Sequence, residues 1–153
     1  MTTAFVSHPT FLLHEMGPYH PECPERICAI TDRLIASGLD AYLLPGQIIP
    51  EHWHVKVGTI PEKMEVWLVR SGEVYTYAEG APTPNMKAKL TAADAANITV
   101  KNEHILGVGE VAGISHPLEK HWMQAGPQGA IFTEFSTFHT GEAVKFTDPK
   151  IKF

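Results

Sequence analysis

From Ala41 onward, apolar and polar positions alternate in short runs. These cover Ala41–Leu44, Glu65–Arg70, Glu73–Tyr77, Lys87–Leu90, Asn97–Val100, His104–Leu106, Val111–Ile114, Trp122–Gln124, Ala130–Thr137 and Ala143–Phe146. A period of two is the mark of a half-buried strand. Gly, Pro and Asn separate the runs, as in Pro45-Gly46, Ser71-Gly72 and Ala81-Pro-Thr-Pro-Asn85. Many short strands at even spacing predict an antiparallel sandwich or a small barrel. Before Asp40 the pattern is different. A loop at His20-Pro-Glu-Cys-Pro leads into a helix predicted over Pro24–Ser37. Pro24 suits a first helical turn, Glu25 the positive helix start, and Ile27, Ile30 and Leu34 fall on one face before Gly38 stops it. The chain therefore reads as two segments, 1–40 with one helix and 41–153 as one compact β domain.

Composition narrows the function classes. At 153 residues the chain is the size of one domain with one real core. Seventeen acidic against twelve basic residues, a formal charge of −5, argue against nucleic acid, which needs a basic face. No apolar run approaches the roughly eighteen residues of a membrane span, and the opening lacks a basic start followed by a long apolar stretch. Cys23 and Cys28 form a C-x4-C pair, a poor zinc signature, and are expected to be reduced thiols in a cytoplasmic protein. Histidine is the unusual component, with nine residues.

The spacing of those histidines matters more than their number. In Glu51-His52-Trp53-His54 an extended chain puts His52 and His54 on one side and Trp53 on the other, toward the core. Lys63 and Glu65 share a side in the same way. If both sides look into a barrel, two imidazoles and a carboxylate converge, and a further imidazole downstream would complete a site. Neutral nitrogens with one carboxylate suit a first-row divalent ion and leave positions open for water or substrate.

H-x-H, a glutamate, six residues and a glycine resemble the first motif of the cupins, here ending in Glu65-Val-Trp-Leu-Val-Arg-Ser-Gly72. The ten residues between His54 and Glu65 exceed the common cupin gap and suit one branch. Leu43-Leu-Pro-Gly-Gln-Ile-Ile-Pro-Glu-His-Trp-His54, Gly72-Glu-Val-Tyr-Thr-Tyr-Ala-Glu-Gly80, Lys120-His-Trp-Met-Gln-Ala-Gly126, Thr133-Glu-Phe-Ser-Thr137 and Phe146-Thr-Asp-Pro149 resemble the D-lyxose isomerases, in the same order, over roughly residues 41–153.

That resemblance implies a mainly β cupin (double-stranded β-helix, jelly-roll) barrel with the 1–40 segment attached. It implies a metal held by His52, His54, Glu65 and His121, with His116 and His139 as alternatives for the third histidine. Manganese is expected, with Zn²⁺, Fe²⁺ or Co²⁺ as alternatives. The substrate would be a free sugar, D-lyxose to D-xylulose or D-mannose to D-fructose, and a homodimer is the expected assembly. Aldose–ketose isomerisation needs a base for the carbon-bound proton. Glu134, sharing a strand face with Phe132 and Ser136, reads from the residues alone as outward and solvated before inward and functional, and the resemblance implies that it is the base. Lys63, two residues before Glu65, would donate to a sugar oxygen or protonate the intermediate, unless it belongs merely to the loop after His54. Gln124, Tyr75 and Tyr77 read first as packing or barrel wall and second as sugar contacts. Two other functions use the same residues: an iron-dependent cupin dioxygenase, and a sugar-binding module without catalysis.

Residues 1–39 carry a separate resemblance. Phe5-Val-Ser-His-Pro9, Met16-Gly-Pro-Tyr-His-Pro-Glu22 and Pro24-Glu-Arg26 resemble the opening of the histone-deacetylase and acetylpolyamine-amidohydrolase family. That family's paired histidines and Asp-x-His zinc segment do not occur in this chain, so deacetylase activity is not expected.

Overall fold

A computed structural model describes residues 40–152 of the chain. The helix expected over Pro24–Ser37 and both cysteines lie outside the described residues. Within them the fold is mainly β. Strands β1 (Asp40–Leu43), β2 (Ile48–His54) and β3 (Glu65–Ala78) are followed by a short helix, α1 (Ala92–Ala96). Strands β4 (Asn102–Leu106), β5 (Val111–Gly113), β6 (His121–Ser136) and β7 (Val144–Phe146) complete it. No helix among the described residues is long and apolar enough to cross a membrane.

The sheet is antiparallel, in the order β4-β3-β6-β2-β7, with β1 added to β6 and β5 to β3. Its spine is the β3–β6 pair, in register from Glu65↔Ser136 to Ala78↔His121. At about 3.3 Å per residue, β3 drawn straight would span roughly 40 Å. Yet the carboxylate of Glu65, at its start, lies 2.6 Å from the imidazole of His121, the partner of its last residue. The ribbon is therefore rolled on itself. The register slips at Val69/Ser71 and Gly72/Val74, and bulges of this kind increase local bending. Gly72, at φ +73°, sits at that bend, where a Cβ would overlap the Gly129 carbonyl. Among the described residues the hydrogen-bonded path does not return to its start, so the expected barrel is a rolled, open sheet rather than a closed one.

Burial follows the roll. In Glu65–Val69 alternate residues are buried, the pattern of a strand with one covered face. Trp67, Val69, Val74, Met123, Ala125 and Phe132 form the inner core. From Val74 to Tyr77 every residue is buried, because a second cluster of Tyr75, Tyr77, Ile98 and Trp122 covers the other face. Its cover comes from residues 86–100, where strands were expected at Lys87–Leu90 and Asn97–Val100 and none is found. Side chains take the ladder's place there. Gln124 accepts from Lys89 N and donates to its carbonyl, Tyr77 accepts from Ala88 N, and Glu51 accepts from the amides of Thr99 and Val100. Helix α1, which the strand pattern missed, opens on a capping box between Thr91 and Asp94. Two further expectations fail for one reason. Ser71-Gly72 and the stretch before Ala130 read as strand breaks, but they are bends inside β3 and β6.

Candidate metal centre

Strand β2 supplies two imidazoles. Its pairing shifts between Ile49 and His52, after which His52 faces His121 across the β2–β6 pair. His54 follows on the same side, two residues on, and Glu65 and His121 are the first residues of β3 and β6. All four are buried, and each offers a donor atom within 4.8 Å of the others. The rings crowd together, with His52 and His121 centroids 4.2 Å apart and His52 and His54 at 5.1 Å. Trp67 closes the inner side, its ring 5.5 Å from that of His121.

The hydrogen bonds fix which nitrogens face the cluster. His52 Nδ1 lies 2.8 Å from the Pro50 carbonyl and His121 Nδ1 2.9 Å from that of Glu119. A carbonyl only accepts, so each Nδ1 carries a proton and each Nε2 keeps its lone pair. Burial, together with the neighbouring His121, drives the His52 pKa down to about 3, the behaviour of an imidazole that stays neutral. Burial alone would raise the Glu65 carboxyl. His121 and His54 beside it, with the Lys63 ammonium, outweigh that and hold it well below the usual carboxylate range.

These donors fit a divalent metal ion. His121 Nε2 is buried and lacks hydrogen-bond geometry to any partner, although Glu65 Oε1 is 2.6 Å away. A nitrogen and a carboxylate oxygen this close, without a bond of their own, can share a third centre. With donors about 2.1 Å from a first-row ion, pairs stand at most about 4.2 Å apart, so a closure of a few tenths of an ångström completes the set. Three imidazoles and one carboxylate suit manganese, iron, cobalt or zinc better than an all-oxygen site for calcium or magnesium.

Beside the four donors sits a Lys–Glu pair. Lys63 is buried, pairs with Glu65, and donates to Glu134 Oε1 at 2.5 Å. It lies just before β3, whereas Glu134 lies on β6 opposite Trp67, with its side chain 30 % exposed. His139 also borders this region, its ring 5.8 Å from that of His54.

Other expectations resolve differently. His116 is exposed beside Glu79, away from the cluster. Trp53 does point opposite to the histidines but is only half-buried, because the Lys120 ammonium covers its ring at 5.2 Å instead of the core. Gln124, Tyr75 and Tyr77 are buried, and their polar atoms bond the protein itself. Two supporting residues escaped the sequence reading. Glu119 holds His121 through its carbonyl, while its buried carboxylate binds Ser115 Oγ at 2.9 Å. Glu51 stood in the motif as His52's neighbour, with nothing to mark the four hydrogen bonds it accepts from Thr99, Val100 and Thr147.

No protein-family model matches the chain. The D-lyxose ketol-isomerase of Cohnella laeviribosi is 43% identical over 122 residues, covering 80% of this chain and 65% of that protein. The D-lyxose/D-mannose isomerase of Thermosediminibacter oceani gives 43% over 122 residues, 80% of this chain and 66% of its own length. The D-lyxose ketol-isomerase of a Thermofilum species gives 43% over 110 residues, 72% and 61%. The chain thus spans a little under two thirds of these relatives. A match of 122 residues is more than 41–153 can supply, so the similarity begins before Ala41. The deacetylase-like reading of 1–39 gains no support. Among solved structures, Cellulomonas parahominis L-ribose isomerase with L-ribose superposes at a TM-score of 0.57 with 17% identity, over 77% of this chain and 63% of that one. Acinetobacter sp. DL28 L-ribose isomerase with L-ribose gives 0.52 with 18% identity, over 65% and 47%. The fold is accordingly of the cupin type.

Proposed function

The chain is homologous to the D-lyxose ketol-isomerases, and from that kinship we propose that it is a metal-dependent aldose–ketose isomerase of free sugars. D-lyxose and D-xylulose are the proposed pair, D-mannose and D-fructose the second, and Mn²⁺ the proposed ion. The observation that carries this reading is the contact of Lys63 with Glu134 beside the buried His52, His54, Glu65 and His121.

Isomerisation moves one hydrogen from C2 to C1 of the sugar and one hydroxyl proton from O2 to O1. A divalent ion, when bound by the four donors, supplies positive charge against the negative charge that develops on those oxygens. Glu134 is the base. Its carboxylate takes the C2 proton, the electron pair left behind forms the C1–C2 double bond of an enediolate, and the Glu134 carboxyl, whose proton exchanges with solvent while the enediolate persists, delivers a proton to C1 or back to C2. Lys63 holds that carboxylate in place, and its ammonium is the group that can lend a proton to O1 and recover one from O2. A site for oxygen chemistry would leave this Lys–Glu pair without a task, which favours the isomerase over the dioxygenase.

The test is proton exchange. Manganese-loaded protein is incubated with D-lyxose in D2O, and deuterium at C2 of lyxose and C1 of xylulose is followed by NMR. Incorporation is expected with the unaltered protein and should fall by about 10²–10⁴ in Glu134→Gln, with the bound manganese unchanged. Folded, manganese-bound protein that exchanges neither this sugar nor D-mannose would overturn the proposal.

A further inference from the structure

Two of the three clustered histidines are anchored alike, each by the carbonyl of the residue two places earlier. His54 breaks the pattern. Its Nε2 faces Glu65 Oε1 at 3.3 Å, but its Nδ1 is buried and has no partner among the described residues. For Nε2 to bind an ion, Nδ1 must carry the proton, and a buried N–H without an acceptor is destabilising. Buried polar atoms are seldom left so, and metal-binding histidines as a rule donate their second N–H to a fixed acceptor.

His139 stands beside the His54 ring. Its ring lies 5.8 Å from the His54 ring, centroid to centroid, at 75°. It is half-buried, and among the described residues its ring contact with His54 is the only bonded or ring interaction it makes. The backbone holds the two segments together, since Val55 N donates to Ala143 O at 2.8 Å and His54 pairs with Val144. We infer that His139 is the positioning residue of His54, a ring nitrogen of His139 accepting the His54 Nδ1–H and doing there what the Pro50 and Glu119 carbonyls do for His52 and His121. The bond requires a turn of the His139 side chain, since His54 Nδ1 has no partner among the described residues in its present arrangement. The rival acceptor is the next residue, Thr140, whose hydroxyl oxygen is also buried without a partner.

The inference rests on the metal reading of the cluster, and the test separates the two. Zinc affinity is measured by chelator competition for the unaltered protein, His139→Phe, His139→Gln and Thr140→Val. The slowly exchanging ring N–H of His54 is followed by ¹⁵N NMR in the zinc-loaded forms. Phenylalanine keeps a flat ring without an acceptor, so His139→Phe should weaken zinc by about 10- to 100-fold and lose the N–H signal. His139→Gln restores an acceptor and should recover most of both, whereas Thr140→Val should leave both unchanged. If His139→Phe retains full affinity and signal, or if Thr140→Val alone reproduces the loss, the inference falls and the metal site stands. If the unaltered protein takes no zinc, the metal reading falls and carries the inference with it.

Discussion

Lys63 Nζ donates to Glu134 Oε1 at 2.5 Å across 71 positions of chain, and the same ammonium pairs with Glu65. One cation thus joins the proposed base to a proposed metal ligand. Lys63 and Glu65 are almost fully buried, so removing the ammonium leaves a buried carboxylate uncompensated. Lys63→Met should destabilise the metal-free protein by about 3–5 kcal/mol in urea. In the manganese-loaded protein it should also lower turnover of D-lyxose. A variant with the same urea midpoint and rate would mean that the contact is incidental.

Loading the cluster should stabilise the fold, because the four donors meet only when β2, β3 and β6 are assembled. With free Mn²⁺ at about 100 times its dissociation constant, the gain is about 2.7 kcal/mol. A chelator should reverse it. Calorimetry should show this shift in the unaltered protein and none in His52→Ala, since His52 contributes one of the four donors. Equal shifts in both would place the binding elsewhere.

Local spacing made part of this site legible in the sequence. His52 and His54 share a strand face by simple alternation, as do Trp67 and Val69 in the core, and this needs no knowledge of the fold. The meeting of Glu65 with His121 could not be read that way, because strand register places them at opposite ends of β3 and only the roll brings them together. Resemblance to the D-lyxose isomerases named both residues where periodicity could not. Residues 86–100 failed for a different reason. They alternate like strands, but their backbone groups bond to Gln124, Tyr77 and Glu51, and such partners lie far off in sequence. Trp53 was placed on its correct side, yet which side is core depends on what covers it.

The bend itself can be tested. Gly72 has a positive φ of 73°, and a Cβ there would run into the Gly129 carbonyl, a backbone atom that cannot swing aside. Gly72→Ala should therefore cost at least about 1–3 kcal/mol from the backbone conformation alone. The clash adds to this, and zinc affinity should fall because the bend sets the distance from Glu65 to His121. Gly58→Ala is the control. Its φ is also positive, at 58°, but nothing lies within 4 Å of the added Cβ, so the stability loss should be smaller and zinc binding unchanged.

Glu51 links the site to the acid stability of the fold. It is 2% exposed, and its Oε1 accepts from Thr99 Oγ1 at 2.7 Å and Thr147 Oγ1 at 2.5 Å. Its Oε2 accepts from the amides of Thr99 and Val100 at 2.6 and 2.9 Å. Burial by itself would raise this carboxyl, but the Thr147, Thr99 and Val100 donors prevail and hold its pKa below the usual 4.5. The unfolded chain then binds more protons than the folded one just below pH 4.5, so stability falls with falling pH there. The Glu51 contribution is full above that value and is lost as pH drops through the folded pKa. Glu51→Gln turns an NH2 toward donors and should cost about 1–3 kcal/mol at pH 7. The difference between the two proteins, followed by urea unfolding of the metal-free forms, should be constant from pH 7 to about 5 and shrink below 4.5. A difference that does not change with pH would mean that the carboxylate's charge plays no part in holding β2 to residues 99–100 and 147.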